Sequence, residues 1–192
     1  MTDEALIKRV ERGDQTAFWL LYERHHGVVF RFLYRLAGSV EAAEDLTHDT
    51  FVVLMKNPQN YDASQASLRT YLCAVARNLS RAHRRRRAAE EHLTVPNRHL
   101  SAASTPDPLA SLLDDELVAQ VRSAVKALRP LLREVLVLVE YEGFSLAETA
   151  TIVGASVGTV KARLHRARRA VRDALARYVD AAQSPLPQRN QQ

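Results

Sequence analysis

The stretch Ser145-Leu-Ala-Glu-Thr-Ala-Thr-Ile-Val-Gly-Ala-Ser-Val-Gly-Thr-Val-Lys-Ala-Arg-Leu-His-Arg-Ala-Arg168 decides the fold. Its first four residues spell a capping box: the serine side chain accepts the backbone N–H of Glu148, and the glutamate reaches back to the serine N–H. A short helix therefore begins at Leu146, carrying Thr149, Ala150, Ile152 and Val153, and it stops at Gly154. Glycine tolerates the left-handed conformation that a tight turn between helices demands. Ser156 caps a second helix whose apolar stripe is Val157, Val160, Leu164, Ala167 and Val171. The other side of that helix presents Lys161, Arg163, His165, Arg166, Arg168, Arg169 and Arg172. A short helix, a glycine turn and a second, basic helix make a helix-turn-helix, which seats its second helix in the major groove of DNA. The competing reading is a solvated basic face on a structural helix, and the capped turn directly before that face weighs against it.

The geometry gives residues of the second helix distinct roles. Backbone N–H groups from Ser156 to Thr159 suit a phosphate oxygen, because a helix N-terminus carries partial positive charge. Lys161 and Arg166 suit guanine acceptors or phosphates, and Ala162 and His165 share their side, where base edges are read.

Working outward, Leu112 to Leu128 reads as one helix with Leu117, Val121 and Val125 on one face, and Leu131 to Tyr141 as another after the break at Arg129-Pro130. The first half is also helical. Leu6, Ile7 and Val10 recur at helical spacing up to Gly13, and Asp14 caps a longer helix through Phe18, Leu21, Tyr22, Val29, Phe32 and Leu36. Gly38 ends it and Ser39 opens the next, which carries Ala42, Ala43, Leu46, Phe51, Val53 and Leu54 up to Asn57-Pro58. A turn from Gln59 to Ala66 leads to a fourth helix from about Ser67, with Leu68, Leu72, Val75 and Leu79 on its stripe and Arg84 to Arg87 at its end. No strand pattern competes. Periodicity fades from Ala88 to Ser111, where Pro96, Pro106 and Pro108 mark a linker. The expectation is all-α: one helical domain over residues 1–87, a flexible linker over 88–111, a second domain over 112–179 and a disordered tail over 180–192.

The formal charge of +5 and its clustering at Arg84 to Arg87 and Lys161 to Arg172 point to a polyanionic partner. One cysteine, Cys73, excludes an internal disulfide framework and any multi-cysteine zinc site. The longest apolar run, Val135 to Val139, is far short of the roughly 20 residues that span a bilayer. A cytoplasmic protein without membrane insertion is expected. Seven histidines invite a metal reading, but none forms a ligand set: His25 and His26 are adjacent and point to different faces, and no His-x-x-x-His pair with carboxylates occurs. No nucleophile motif or phosphate loop occurs either, so neither an enzyme nor a cofactor is expected.

The 145–168 string resembles the promoter-binding helix-turn-helix of region four of bacterial sigma factors. Ala42-Ala-Glu-Asp-Leu-Thr-His-Asp-Thr-Phe51 is similar to the clamp-binding segment of region two, and Ser67-Leu-Arg-Thr-Tyr-Leu-Cys-Ala-Val-Ala-Arg-Asn78 to the promoter-melting segment. The three motifs stand in the family's order, and the absence of a further domain between them resembles the extracytoplasmic-function (ECF) subfamily. The resemblance implies that Glu44, Asp45, Asp49 and Phe51 hold core RNA polymerase at the beta-prime clamp helices, with a further contact on the beta flap. It implies that Asp62, Ser64, Arg69, Tyr71, Arg77, Asn78 and Arg81 capture the opened minus-ten element of the promoter. Ser156, Thr159, Lys161, Ala162, His165, Arg166 and Arg169 would read the minus-thirty-five element. It also implies an anti-sigma factor as partner and a role in a stress or envelope response. Tyr71 lies partly on the apolar stripe and is equally readable as core. A stand-alone helix-turn-helix regulator, its first domain a sensing or dimerisation module, is the alternative.

Overall fold

A computed structural model describes residues 1–93 and 115–183; the rest of the expected linker and tail lies outside the described residues. Helix α1 (Asp3–Val10) is capped by Thr2, whose hydroxyl accepts the Ala5 N–H at 3.3 Å. The Asp14 carboxylate accepts the Ala17 N–H at 3.0 Å and starts α2 (Gln15–Ala37), which ends on Gly38 at φ 72°. Ser39 caps α3 (Val40–Lys56) through the Ala42 N–H. A 3-10 turn (Pro58–Asn60) and a loop then lead to α4 (Leu68–Leu93). Helices α2, α3 and α4 pack on one another, with α1 against α2. Their core holds Leu21, Phe32, Phe51, Leu54 and Leu72, each at most 2% exposed. Removing each from water contributes about 1.5 to 3 kcal/mol before the entropy of ordering is set against it.

Two boundaries differ from expectation. Helix α4 continues through the arginine cluster to Leu93, because Ala88-Ala-Glu-Glu91 is strong helix-forming sequence and proline first intervenes at Pro96. The last helix likewise reaches Gln183, past the expected start of a disordered tail, since Ala181-Ala-Gln183 contains no breaker.

The second unit comprises α5 (Asp115–Ala127), α6 (Pro130–Leu136), α7 (Leu146–Val153) and α8 (Val157–Gln183). Pro130 stands at the start of α6, where its missing N–H costs nothing. The expected single helix from Leu131 to Tyr141 changes character part-way: Val137–Tyr141 is a π-helical turn, closed by the Glu142 N–H donating to the Val137 carbonyl at 3.0 Å. Helix α8 packs along α5, α6 and α7 over Val160, Leu164 and Ala167.

The two units do not stand apart. Helix α4 packs on α7, and α2 meets α6 and the π-helical turn, so that the buried apolar side chains of both units join one cluster. Among the described residues there is no strand, and no helix is long and apolar enough to cross a membrane.

Candidate nucleic-acid and polymerase interfaces

The helix-turn-helix has the local chemistry its sequence promised. The Glu148 N–H donates to Ser145 Oγ at 3.2 Å, and the Ser145 N–H donates to Glu148 Oε2 at 2.9 Å. These bonds, the hydroxyl first and the backbone N–H second, hold the Glu148 carboxyl below its ordinary value. Gly154 turns the chain at φ 59°. Ser156 Oγ accepts the Thr159 N–H at 3.2 Å and lies 2.9 Å from the Thr159 hydroxyl, so both residues are engaged in capping α8. Beyond the cap, Lys161, Ala162, His165, Arg166 and Arg169 are all exposed on one side, with Val160, Leu164 and Ala167 beneath them. The Arg166 Nε donates to the Ala162 carbonyl at 3.2 Å, which lays the side chain back along its own helix. Arg169 lies 3.8 Å from Asp173 one turn on. Arg168 is held differently, donating twice to Glu140 Oε1 at 2.5 and 2.8 Å, so it braces α8 on the π-helical turn.

On α3, Glu44, Asp45 and Asp49 form an exposed acidic face, and Asp49 lies 3.9 Å from His48 Nδ1. The fourth residue expected there belongs elsewhere. Phe51 is 2% exposed and takes the edges of Phe18 and Tyr22 at 6.4 and 4.8 Å, so it supports the acidic face from inside.

The residues expected to capture a DNA strand divide into two sets. Asp62, Ser64 and Asn78 are exposed. Asp62 organises its loop, accepting from the Ser64 hydroxyl at 2.7 Å, the Ser64 N–H at 2.9 Å and the Gln65 amide at 2.9 Å, and these bonds lower its pKa. Tyr71 and Arg81 are half-buried, Tyr71 tilted against Tyr61 at 5.6 Å. Arg69 and Arg77 are engaged by the second unit. Arg77 is 5% exposed, and its Nε donates to Glu134 Oε2 at 2.6 Å. Arg69 donates to the Glu142 carbonyl and lies over the Phe144 ring at 4.0 Å. In this arrangement Arg77 is buried and paired, not open at the surface as Asn78 is.

Sequence reasoning missed Glu134 and Glu142. Both carboxylates are 1% exposed; Glu142 accepts from Arg35 at 2.9 Å and Arg31 at 3.2 Å. A signal was present, because Glu134 interrupts the apolar succession of Leu131, Leu132, Val135 and Leu136 at a position that the helix buries.

No three His, Cys, Asp or Glu side chains come together as a metal site among the described residues. His25 instead lies 2.9 Å from Asp3, tying α2 to α1. Burial pushes the Cys73 thiol up to about 12.

Comparison with known proteins adds the family. Sigma-70 region 2 matches residues 21–90, and Sigma-70 region 4 matches residues 119–171. The RNA polymerase sigma-H factor of Pseudomonas aeruginosa is 30% identical over 90% of this chain and 93% of its own length. The ECF RNA polymerase sigma factor SigW of Bacillus subtilis is 31% identical over 88% of this chain and 94% of its own. The chain belongs to the ECF sigma factors. The match to SigE of Mycolicibacterium smegmatis, at 34% identity, covers 86% of this sigma factor but 65% of that relative. Two solved structures share its fold. They are the sigma factor RpoE with the anti-sigma factor NepR from Bartonella quintana (TM-score 0.71, 26% identity, 83% of this chain and 96% of that one) and CnrH with the cytosolic domain of CnrY (0.65, 29%, 95% and 99%). With region 2 and region 4 both present in order, the stand-alone regulator is displaced.

Proposed function

We propose that this sigma factor binds core RNA polymerase and directs it to promoters, with region 2 over residues 1–93 and region 4 over residues 115–183. The exposed basic side of α8, opened by a capped N-terminus and backed by buried Val160, Leu164 and Ala167, carries the reading. Its Lys161, Ala162, His165, Arg166 and Arg169 meet base edges and phosphates of the minus-thirty-five element, and Ser156 and Thr159 present the helix N-terminus to a phosphate. The acidic face of Glu44, Asp45 and Asp49 docks on the beta-prime clamp helices, and region 4 meets the beta flap. In region 2, Asn78 and the loop with Asp62 and Ser64 contact extruded minus-ten bases. Arg69, Tyr71, Arg77 and Arg81 line the path of the strand once the units have parted.

An anti-sigma factor is a natural partner, given that RpoE and CnrH were solved bound to NepR and CnrY. The chain works in the cytoplasm beside the polymerase and catalyses no reaction itself. Pull-down with purified core enzyme followed by run-off transcription decides the matter. Retention on core and promoter-dependent transcripts are the expected result, and failure to bind core ends the reading.

A further inference from the structure

Arg168 belongs to the basic row of α8 by sequence, yet the structure fixes it to another element. Its Nε and Nη2 both donate to Glu140 Oε1, at 2.8 and 2.5 Å, across 28 residues of chain. Neighbours on the row behave otherwise: Arg166 bonds to a carbonyl of its own helix, and Arg169 faces Asp173 one turn on. Successive residues turn by about 100° around a helix, which puts Arg168 about 40° from Leu164 and about 160° from Arg166. Arg168 therefore sits on the flank between the buried stripe and the side that carries Ala162, His165 and Arg166.

That flank is where packing leaves α8 least defined. Val160, Leu164 and Ala167 are buried, but apolar burial is non-directional, so it holds the helix down without fixing its roll about its own axis. Val171, one turn further on, is only half-buried. A groove runs here between α5, the π-helical turn and α8, lined by Val121, Leu136, Val171 and Leu175 together with Glu140 and Arg168. Charge-assisted hydrogen bonds are directional, and the two from Arg168 close the freedom that the groove leaves. Their acceptor is itself anchored: Glu140 lies in the π-helical turn, whose Val137 and Leu138 are fully buried.

We propose that Glu140 is a positioning residue that sets promoter specificity, fixing the roll of α8 through Arg168 and so aiming Lys161, His165 and Arg166 at base edges. The inference rests on the reading of α8 as the minus-thirty-five reader. A roll of about 20° swings side chains that stand about 5 to 6 Å from the helix axis by about 2 Å. A base-edge hydrogen bond tolerates only a few tenths of an ångström. Phosphate contacts survive such a shift better, because they act through charge and carry little sequence information. Loss of the bridge therefore removes discrimination between upstream elements and spares transcription as a whole. Both partners are partly exposed, and pairs of that kind contribute little to stability, so the fold does not depend on it.

The test uses the full chain on core polymerase. Templates randomised over the minus-thirty-five segment, upstream of the minus-ten sequence of a promoter that the parent chain transcribes, are pooled and their run-off transcripts sequenced. The measure is the ratio of transcripts from the parent's best-used upstream sequence to the pool average. Glu140→Gln and Arg168→Ala are each expected to lower it about fivefold, the smaller end of what one bidentate base contact contributes. The double variant should lose no more than either, since one bridge is removed in all three. Glu140→Arg with Arg168→Glu, which reverses the pair at constant net charge, should return most of the ratio. Urea midpoints should match the parent's; if Arg168→Ala lowers its own, Arg168→Lys replaces it, with a smaller loss in the same direction.

Ratios equal to the parent's in both single variants overturn the proposal, as does a reversed pair no better than the singles. A loss confined to Glu140→Gln also overturns it, because a freed Arg168 drawn to phosphates, and not the roll of α8, is then at work. A parent chain that transcribes every template alike loses the minus-thirty-five role of α8 and the bridge with it, whereas a selective parent matched by its variants loses only the bridge.

Discussion

Helices α4 and α8 start alike and end in opposite situations. Each opens on a serine that accepts the N–H of a threonine three residues on: Ser67 with Thr70 at 3.2 Å, and Ser156 with Thr159 at 3.2 Å. They run for 26 and 27 residues, each with an apolar stripe and a row of arginines. Yet Arg69 and Arg77 of α4 are held by the neighbouring unit, whereas Lys161, Arg166 and Arg169 of α8 stand in solvent. A basic helix is therefore not a DNA surface by composition alone; what faces it decides. In this arrangement the basic side of α8 is open to solvent, and Arg69 and Arg77 of α4 are occupied.

The largest expected effect tests α4. Arg77→Ala leaves the Glu134 carboxylate buried without its cation, which costs the closed form about 3 to 5 kcal/mol. The chain escapes most of that cost by parting its units, so the variant should lose energy transfer between dyes attached to each while circular dichroism retains the helical signal. Loss of helix with the units still together would show that Arg77 belongs to the fold of region 2 and not to a separable contact.

Arg166→Ala is the counterpart on α8. Its side chain is exposed and bonds only to its own helix among the described residues, so thermal stability should change by less than about 0.5 kcal/mol. Use of promoters with the cognate upstream element should fall by about 1 to 3 kcal/mol if the guanidinium makes a bidentate base contact. Run-off transcription on matched and mismatched promoters measures it. Equal losses on both would reassign Arg166 to phosphate contact.

Of intermediate size is the turn that aims α8. Gly154 sits at φ 59° with open space where a Cβ would stand, so Gly154→Ala meets no clash but forces a left-handed backbone on a residue with a side chain. The cost is about 1 to 2 kcal/mol, read by urea denaturation. An unchanged midpoint would mean that the turn relaxes, and that α8 is aimed by its contacts with α5 and α6 instead.

How far the sequence foretold this comparison depends on the range of the interaction. Caps at Asp14, Ser39, Ser145 and Ser156 and the glycine stops at Gly38 and Gly154 were legible because each is set within four residues. The acidic face of α3 and the basic side of α8 followed from helical period. Phe51 was misplaced as a docking residue although its own stripe, with Leu54, marked it as core; the motif spoke louder than the periodicity. The pairing of Arg77 with Glu134 spans 57 residues and that of Arg31 with Glu142 spans 111, and no local rule joins them. Nor does periodicity announce the π-helical turn, whose i to i+5 bond from Val137 to Glu142 precedes the segment that α4 covers.

The smallest effect joins the two helices through Glu148. Its carboxyl is held below the ordinary value of 4.5 first by the Ser145 hydroxyl and backbone N–H, and further by Arg69 and Thr70 at the start of α4. Separation of the units removes the contributions of Arg69 and Thr70 and leaves those of Ser145. In Glu142→Gln the Glu148 carboxyl should therefore titrate higher than in the parent chain while staying below 4.5, a shift that carboxyl NMR resolves. The sign for stability follows: a depressed carboxyl contributes fully above its unfolded value, and that contribution is lost as pH falls through the folded one. Opening narrows this window from its acid end, so the parent chain should resist mild acid slightly better than the variant. An identical Glu148 titration in both chains would place Arg69 away from the capping box in solution, and the contrast between α4 and α8 would lose its physical basis.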